Sequence, residues 1–232
     1  MPILNMVYYA AEWGGGWQPW ADTLLYYDFE HTSWTTETDV VGNYNWTYNS
    51  TPTIWTLSSG KKYFDTEWNK YCYTNSVISN LNYNNCTVNV WLYIQNFNSK
   101  SRFGQTRWNT PNGQWTIFLE DNSSWFQCCL WPTSNWIWWL SKTYLTGWTN
   151  LVLTNDWTTF KVYSNGTQIG TKSSASWSWS RKLYIWVATA YWWELAAIWD
   201  TRFGSMIIEN KVWTQQDITD YFNSTKSNYW IS

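Results

Sequence analysis

Tryptophan occupies turn positions in this chain where short β-strands are normally connected through glycine. The sequence has 25 Trp and only 11 Gly in 232 residues. In segment 151–163, two strand-like runs flank Asp156-Trp157, where Asp-Gly would be among the strongest signals for a two-residue β-hairpin. A type I′ turn requires positive φ at both central residues, which a bulky side chain rarely adopts. The pattern therefore predicts short strands joined by tight turns, with Trp in place of Gly in some of them.

Fourteen Trp residues, here called the recoding candidates, fit this replacement. They are Trp17, Trp46, Trp55, Trp68, Trp108, Trp125, Trp138, Trp139, Trp157, Trp177, Trp186, Trp192, Trp193 and Trp230. Many lie in runs of Asn, Ser, Thr or Tyr, and simple aromatic enrichment would not concentrate Trp in such turns. We interpret them as UGA codons that the source genome reads as Gly and that are translated here as Trp. The alternative is a truly Trp-rich surface that stacks on sugars.

The charge distribution argues against several classes of partner. Charged residues make up 13% of the chain, the formal net charge is −2, and the first Lys or Arg is Lys61. Without a basic patch, nucleic acid is not an expected partner.

No apolar run reaches the roughly 18 residues of a membrane span. The N-terminus carries no positive region, so no signal peptide is recognised. The abundance of Asn, Ser and Thr favours an extracellular or virion location, reached by lysis or through a partner's export route.

The four cysteines are Cys72, Cys86, Cys128 and Cys129. Their spacing fits no zinc pattern, and the adjacent pair would point to opposite sides of a strand. Free, mostly buried thiols are the first interpretation. One bridge between Cys72 or Cys86 and the adjacent pair is the alternative.

Hydrophobic periodicity predicts an all-β domain over residues 21–232, preceded by an extended leader at 1–20 that contains three consecutive glycines. The strongest strand is 86–94, and its alternation places Val88, Val90, Leu92 and Ile94 in the core, with Asn89 and Tyr93 on the other side. Further strands are predicted at 23–29, 62–65, 71–73, 115–119, 126–130, 151–154, 160–163, 167–169, 183–187 and 203–209. Asn165-Gly166 gives a second hairpin signal.

One helix is predicted, at Thr214–Asn223. Thr214 and Asp217 form a capping box, and Ile218, Tyr221 and Phe222 share one face. Many short strands with one terminal helix indicate a two-sheet antiparallel jelly-roll sandwich with a short C-terminal helix.

Four stretches within residues 23–229 resemble the concanavalin A-like lectin/glucanase superfamily, in its laminin-G-like jelly-roll branch. They are Leu25–Phe29, the strand at 88–92 containing Trp91, the hairpin from Trp148 to Gly166, and Phe203 to Tyr221. The chain departs from the family pattern at Trp68 and Trp186, where the family has glycine. Trp91 and Trp148 fall where the family has Trp, which indicates that these two are genuine.

Catalytic carboxylates are not expected from the sequence. Glycosidases need two carboxyl groups that flank the scissile bond, and the spacing that this superfamily uses for them is absent. Glu120-Asp121 are adjacent and would face opposite ways along a strand. Glu37 and Asp39 are predicted to form a solvated turn. His31, the single histidine, lies in a predicted loop without a nucleophile-elbow sequence.

The resemblance also makes calcium a candidate cofactor, because laminin-G-like folds often bind it through oxygen ligands at a loop rim. The candidate ligands are Asp28, Asp65, Asp121 and Asp156. Asp156 has a second interpretation as the first residue of its turn.

Sugar stacking is predicted at Tyr93, Trp131 and Tyr191, at one end of the sandwich or on its concave sheet. The alternative interpretation of Trp131, which precedes Pro132, is a residue that covers the sandwich edge. The first functional hypothesis is a non-catalytic module that recognises a glycan or a protein surface, in a phage virion or tail, or on a bacterial surface. The alternatives are a structural virion jelly roll that packs against neighbours or copies of itself, and a divergent glycosidase.

Overall fold

The structure is a computed structural model. It describes residues 19–42, 44–48, 50–65, 72–74, 78, 80–82, 84–94, 105–107, 114–115, 117–121, 125–130, 135–173, 182–185 and 201–229. The predicted leader therefore lies outside the described residues except for its last two positions. Among the described residues, no helix is long and apolar enough to cross a membrane.

The described chain forms eighteen strands and one α-helix. The strands are β1 (Thr23–Tyr27), β2 (Thr32–Ser33), β3 (Thr36–Glu37), β4 (Trp46–Tyr48), β5 (Thr53–Thr56), β6 (Lys62–Asp65), β7 (Cys72–Thr74), β8 (Asn85–Ile94), β9 (Gln105–Arg107), β10 (Gln114–Trp115), β11 (Ile117–Asp121), β12 (Trp125–Leu130), β13 (Asn135–Ser141), β14 (Trp148–Asp156), β15 (Thr159–Ser164), β16 (Thr167–Ser173), β17 (Lys182–Ile185) and β18 (Thr201–Glu209). The helix α1 spans Gln215–Tyr229, and a short 3₁₀ helix spans Lys142–Leu145.

The strands form antiparallel sheets. The eight-stranded sheet has the order β16-β15-β14-β8-β18-β6-β5, with β1 also paired to β18. The seven-stranded sheet has the order β10-β9-β17-β7-β4-β3-β2, and β11-β12-β13 form a third sheet. The predicted all-β antiparallel sandwich with a C-terminal helix is confirmed.

The two faces of β8 pack against different layers, as its alternating sequence predicted. Val88, Val90, Leu92 and Ile94 are buried in the main core, which also takes side chains from the seven-stranded and three-stranded sheets. Trp91 and Tyr93 belong to a second cluster on the opposite face, which α1 covers. On that face Asn89 is also buried, and its side-chain oxygen accepts a 2.8 Å hydrogen bond from Asn150.

Helix α1 begins as predicted but continues six residues past the predicted end at Asn223. The capping box is present, since the Asp217 carboxylate accepts from the Thr214 backbone N–H at 2.8 Å and the Asp217 N–H donates to Thr214 Oγ1 at 3.1 Å. The extension packs onto the sheet, where Tyr229 stacks on Trp91 with ring centroids 4.4 Å apart. Tertiary contact therefore sets the C-terminal end of the helix.

The two predicted hairpins differ in outcome. Asn165 and Gly166 have φ of 49° and 80°, which is the type I′ geometry that this pair predicted. At the other hairpin Asp156 pairs with Thr159, so the central residues are Trp157 and Thr158 and neither has positive φ. The prediction of a type I′ turn centred on Asp156-Trp157 is therefore wrong. Asp156 instead accepts hydrogen bonds from the backbone N–H groups of Thr158 and Thr159, at 3.0 and 2.8 Å.

Two of the cysteines can be described in full. Cys86 and Cys128 are buried thiols, as the first interpretation predicted. Burial raises the pKa of both thiols, in Cys86 to about 12. The side chains of Cys72 and Cys129 lie outside the described residues.

The described Trp residues fall into buried and exposed groups. Trp91 and Trp213 are buried and donate their indole N–H to Thr225 and Glu209 respectively. Of the recoding candidates, Trp55, Trp139 and Trp157 are exposed, and Trp139 is 70% exposed with φ of 67°.

Trp46 contradicts the expectation of an exposed turn position, because it is buried in β4 against Tyr27. The recoding candidates Trp68, Trp192 and Trp193 lie outside the described residues.

Candidate functional site

A cleft of about 320 Å³ lies at one edge of the sandwich, where both large sheets end. Strand β5 is the last strand of the eight-stranded sheet, and β2 is the last strand of the seven-stranded sheet. We call this space the edge cleft. Its lining residues are Phe29, Thr32, Trp34, Thr51, Pro52, Ile54 and Lys62.

The lining combines apolar surface with a few polar groups. Phe29, Trp34, Pro52 and Ile54 are the apolar residues of the lining, with Phe29 itself fully buried, and Thr32, Thr51 and Lys62 are the polar ones. Small-molecule sites have this composition, in which apolar surface provides affinity and a few polar groups fix orientation.

Two residues of the edge cleft have left-handed backbone conformations. Phe29 has φ of 61° and Trp34 has φ of 39°, and they are two of four non-glycine residues with positive φ in the described part of the chain. Phe29 is buried, whereas Trp34 is 86% exposed. Such conformations cost about 1–3 kcal/mol each and are concentrated at ligand clamps and functional sites.

Trp34 owes its conformation to a two-residue hairpin between β2 and β3. Ser33 pairs with Thr36, so Trp34 is the first central residue of the turn, and Thr35 does not share its positive φ. Glycine is the usual residue at that position of a type II′ turn. Trp34 was not among the recoding candidates, although its Thr-Ser-Trp-Thr-Thr surroundings resemble theirs.

The charged groups beside the cleft pair with one another. Lys62 Nζ lies 3.5 Å from Glu30 Oε2, and Lys61 Nζ lies 3.5 Å from Glu30 Oε1 and 3.9 Å from Asp28 Oδ2. The Glu30 carboxylate also accepts from the Lys62 backbone N–H at 3.0 Å. The two cations and two carboxylates therefore leave this side of the cleft without net charge.

Glu37 is buried behind the cleft, which overturns the prediction of a solvated turn at Glu37 and Asp39. The side chain is 0% exposed, its Oε2 accepts a hydrogen bond from the Thr32 hydroxyl, and its Oε1 has no hydrogen-bond partner among the described residues. Burial, with a contribution from the carboxylate of Asp28, raises the pKa of the Glu37 carboxyl to about 8. Glu37 is therefore mostly protonated at neutral pH, and it contacts Thr32 of the cleft lining.

Asp39 is buried for a structural reason. Its carboxylate accepts hydrogen bonds from the backbone N–H groups of Tyr26, Val41 and Tyr44, at 2.8, 3.1 and 2.9 Å. The β1 strand and the loop after β3 are thereby connected through one side chain. No local pattern predicts this role, because the three donors come from two separate segments.

Of the predicted sugar-stacking residues, only Tyr93 lies within the described part of the chain, and it does not line the edge cleft. Tyr93 is half-buried and packs on Trp148, with ring centroids 5.8 Å apart, and the Arg202 guanidinium lies 5.4 Å from its ring. Trp131 and Tyr191 lie outside the described residues. The cleft occupies a lateral edge of the sandwich, whereas the sequence pointed to one end or to the concave sheet.

The three calcium candidates whose side chains are described, Asp28, Asp65 and Asp156, are not brought together. Asp28 lies beside Lys61, Asp65 Oδ2 accepts a 3.2 Å hydrogen bond from Arg202 Nε, and Asp156 closes its own turn. Asp121 lies in β11, and its side chain is outside the described residues. Within the described ranges, no three His, Cys, Asp or Glu side chains form a group that could hold a metal ion. Asp28, Asp65 and Asp156 therefore do not form a calcium site with one another.

The remaining polar candidates are His31, Glu120 and Asp121. His31 is exposed in the turn before β2. Glu120 and Asp121 are consecutive residues of β11, and their side chains lie outside the described residues.

Comparisons with solved structures show the same fold at low identity. A Trypanosoma rangeli sialidase mutant is 9% identical with a TM-score of 0.64, over 92% of this chain and 34% of the sialidase chain. Domain 4 of AbnA, a GH43 extracellular arabinanase from Geobacillus stearothermophilus in complex with arabinotriose, is 15% identical with a TM-score of 0.61, over 86% of this chain and 98% of that domain.

A structure of botulinum neurotoxin type C, which interacts with two ganglioside molecules, is 14% identical with a TM-score of 0.64, over 88% of this chain and 51% of that chain. This chain therefore spans about a third of the sialidase and about half of the toxin chain. No protein-family model and no curated protein matches the sequence. At these identities the likeness concerns the β-sandwich fold.

Proposed function

We propose that this protein is a non-catalytic recognition module that binds a glycan in the edge cleft. The observation that carries the proposal is the cleft itself, where Thr32 and Thr51 border the apolar side chains of Pro52 and Ile54. A sugar ring has an apolar face and a polar edge, and a lining of this composition can contact both. The left-handed backbone of Phe29, buried at the base of the site, adds support.

The fold neighbours support a glycan ligand as well. One is a domain in complex with arabinotriose, and another is a toxin that interacts with gangliosides.

The finer assignment to a laminin-G-like domain of the concanavalin A-like superfamily is part of the same proposal. It is supported by the Asn165-Gly166 hairpin and by the capped C-terminal helix that packs against the sheet.

The proposal excludes glycoside cleavage because the carboxyl groups near the cleft are already engaged. Cleavage needs an acid and a second carboxylate that both reach the bond. Glu37 is enclosed behind Thr32, and Asp28 and Glu30 pair with Lys61 and Lys62.

The binding experiment introduces the same side chain inside and outside the cleft. Thr51 lines the cleft, whereas Thr56 is an equally exposed threonine in the adjoining strand that does not. Purified wild type, Thr51→Arg and Thr56→Arg are titrated by calorimetry with the glycans that an array identifies. We expect Thr51→Arg to weaken binding at least ten-fold, about 1.4 kcal/mol, and Thr56→Arg to leave it unchanged. Equal affinity in all three proteins would move the site away from the edge cleft.

We further propose that the module works outside the cell, on a phage virion or tail or on a bacterial surface, in a lineage that reads UGA as glycine. The exposed positions of Trp55, Trp139 and Trp157 support the recoding, whereas the buried Trp46 argues against it at that position. The nucleotide sequence of the gene and its neighbours tests both statements. UGG codons at the recoding candidates would end the recoding proposal, and the absence of virion or surface-protein genes nearby would count against the setting.

A protein surface is the second ligand class. A structure of the botulinum neurotoxin DC binding domain in complex with rat synaptotagmin II is 13% identical with a TM-score of 0.63, over 88% of this chain and 52% of that chain. Sedimentation of the purified protein alone and with host surface extract distinguishes self-assembly from a protein receptor.

A further inference from the structure

We infer that the edge cleft selects neutral sugars over acidic ones, because the carboxylate of Glu30 neutralises Lys62, the one cation in its lining. This inference rests on the proposed function and specifies its ligand class. Lys62 is the only charged residue among the described lining residues. On its own, an ammonium group at the edge of a sugar site would favour a carboxylate or sulfate on the ligand.

Glu30 is fixed in place by several donors. One oxygen accepts from the Lys62 backbone N–H at 3.0 Å and lies 3.5 Å from Lys61 Nζ, and the other lies 3.5 Å from Lys62 Nζ. The backbone N–H of Glu30 donates in turn to Asp28 Oδ1 at 3.1 Å. A ligand carboxylate would therefore have to displace a carboxylate that is already held by the backbone as well as by both lysines.

The local charge balance works in the same direction. Lys61 and Lys62 contribute two positive charges, and Asp28 and Glu30 contribute two negative charges. An acidic sugar would lose hydration on entering the cleft without meeting an uncompensated cation, and an ion that is desolvated without a partner is disfavoured.

A neutral sugar hydroxyl finds suitable partners in the same place. The Lys62 ammonium has three N–H donors; it donates to the Glu30 backbone carbonyl oxygen at 3.3 Å and forms an ion pair with Glu30 Oε2 at 3.5 Å. With three donors, the ammonium can also donate to a hydroxyl oxygen of the ligand. The hydroxyl of Thr51 can both donate and accept, which suits a ligand whose polar groups are hydroxyls.

The test removes the neutralising charge while preserving the shape of the side chain. Glu30→Gln keeps an oxygen that can accept from the Lys62 backbone N–H and leaves the lysine pair with one negative charge fewer. Asp220→Asn is the matched control, because Asp220 is an exposed residue of α1, and its substitution changes the net charge of the protein by the same unit away from the cleft.

The probes are oligosaccharides of equal length that differ only in the carboxylate, namely galactose, glucose and mannose tetramers and the corresponding uronic acid tetramers. Affinities are measured by calorimetry at low and high salt for wild type, Glu30→Gln, Asp220→Asn and Thr51→Arg. We expect wild type to bind at least one neutral tetramer more tightly than its uronic acid counterpart. Glu30→Gln should raise uronic acid affinity relative to neutral affinity roughly five-fold at low salt, and salt should reduce this gain. Asp220→Asn should leave the ratio unchanged.

Two results would overturn the inference while leaving the site intact. In the first, wild type binds uronic acid tetramers more tightly than neutral ones, and Thr51→Arg, which blocks the edge cleft, loses this binding. The other is an unchanged ratio in Glu30→Gln. If instead no tetramer of either kind binds wild type, or Thr51→Arg binds as wild type does, the edge cleft is not the glycan site, and the proposed function fails together with the selectivity.

Discussion

Replacing Glu37 with glutamine should reduce the pH dependence of the protein's stability. Glu37 is fully buried, and burial raises the pKa of its carboxyl to about 8 in the folded protein. In the unfolded chain the carboxyl has an ordinary pKa of roughly 4.3. Between those two values the folded protein holds a proton that the unfolded chain has lost, so the free energy of unfolding falls as pH rises.

The size of the effect follows from the width of that pH range. One pKa unit corresponds to about 1.4 kcal/mol, so Glu37 should remove about 3 kcal/mol of stability between pH 5.5 and pH 8. Below the unfolded pKa the full contribution is present, and above pH 8 no further loss is expected from this group. Glutamine has the shape of the protonated acid and does not titrate, so the variant should lack this contribution. Burial also raises the pKa of Glu209, but that residue is common to both proteins and cancels in the comparison.

The assay is urea unfolding of wild type and Glu37→Gln at intervals from pH 5 to pH 9. At pH 5 we expect the free energy of unfolding of wild type to equal or exceed that of the variant. From pH 5 to pH 8 the free energy of unfolding of the variant should rise steadily relative to that of wild type. Parallel pH profiles would refute the reasoning, because they would show that Glu37 is ionised in the folded protein or accessible to water.

Three further predictions concern other parts of the chain. Trp34→Gly should stabilise the protein by about 1 kcal/mol in thermal unfolding, because glycine adopts positive φ without steric strain. Trp55→Gly, in a strand without positive φ, should destabilise the protein by a similar amount, and equal effects of the two substitutions would contradict the turn assignment. Loss of glycan affinity in Trp34→Gly would indicate that Trp34 stacks on the sugar, whereas unchanged affinity would agree with a misread glycine. Asp156→Ala should cost about 1–2 kcal/mol of stability, because three donors from Thr158 and Thr159 lose their acceptor. Calcium should not change the melting temperature of the wild type. A rise in melting temperature on adding calcium would instead indicate that the protein binds the metal. Cys86 should resist thiol reagents in the folded protein at pH 8 and react on unfolding, because burial raises the pKa of its thiol to about 12. Peptide mass spectrometry measures the extent of labelling at this residue. Rapid labelling of the folded protein would contradict the burial of Cys86.

Local sequence patterns predicted much of the framework because the forces involved act between near neighbours. The alternation in β8 assigned Val88 and Leu92 to the core, and the predicted strand at Lys62–Asp65 coincides with β6. The capping box located the start of α1, and Asn165-Gly166 predicted its turn. Each of these signals is complete within about four to nine consecutive residues.

The candidate site could not be predicted in this way. The strands that border it, β2 and β5, have two and four residues, too few for a periodic pattern to emerge. Their position at the edges of two different sheets depends on pairing with β3 and β6, which the composition of the segment does not encode.

Taken alone, the sequence determined which residues of the long strands face the core, where the C-terminal helix begins and which turn Asn165-Gly166 adopts. Only the tertiary structure decided that Glu37 is buried and that Lys62 is neutralised by Glu30, because these properties depend on segments brought together from different strands. The same holds for the end of α1. Tyr229 packs onto Gly204, where an added Cβ would collide with its ring, so a glycine on a distant strand allows the helix to reach the sheet. Short-range periodicity fixes the inward and outward faces of a strand, whereas burial, charge pairing and helix length are set by contacts between residues far apart in the chain.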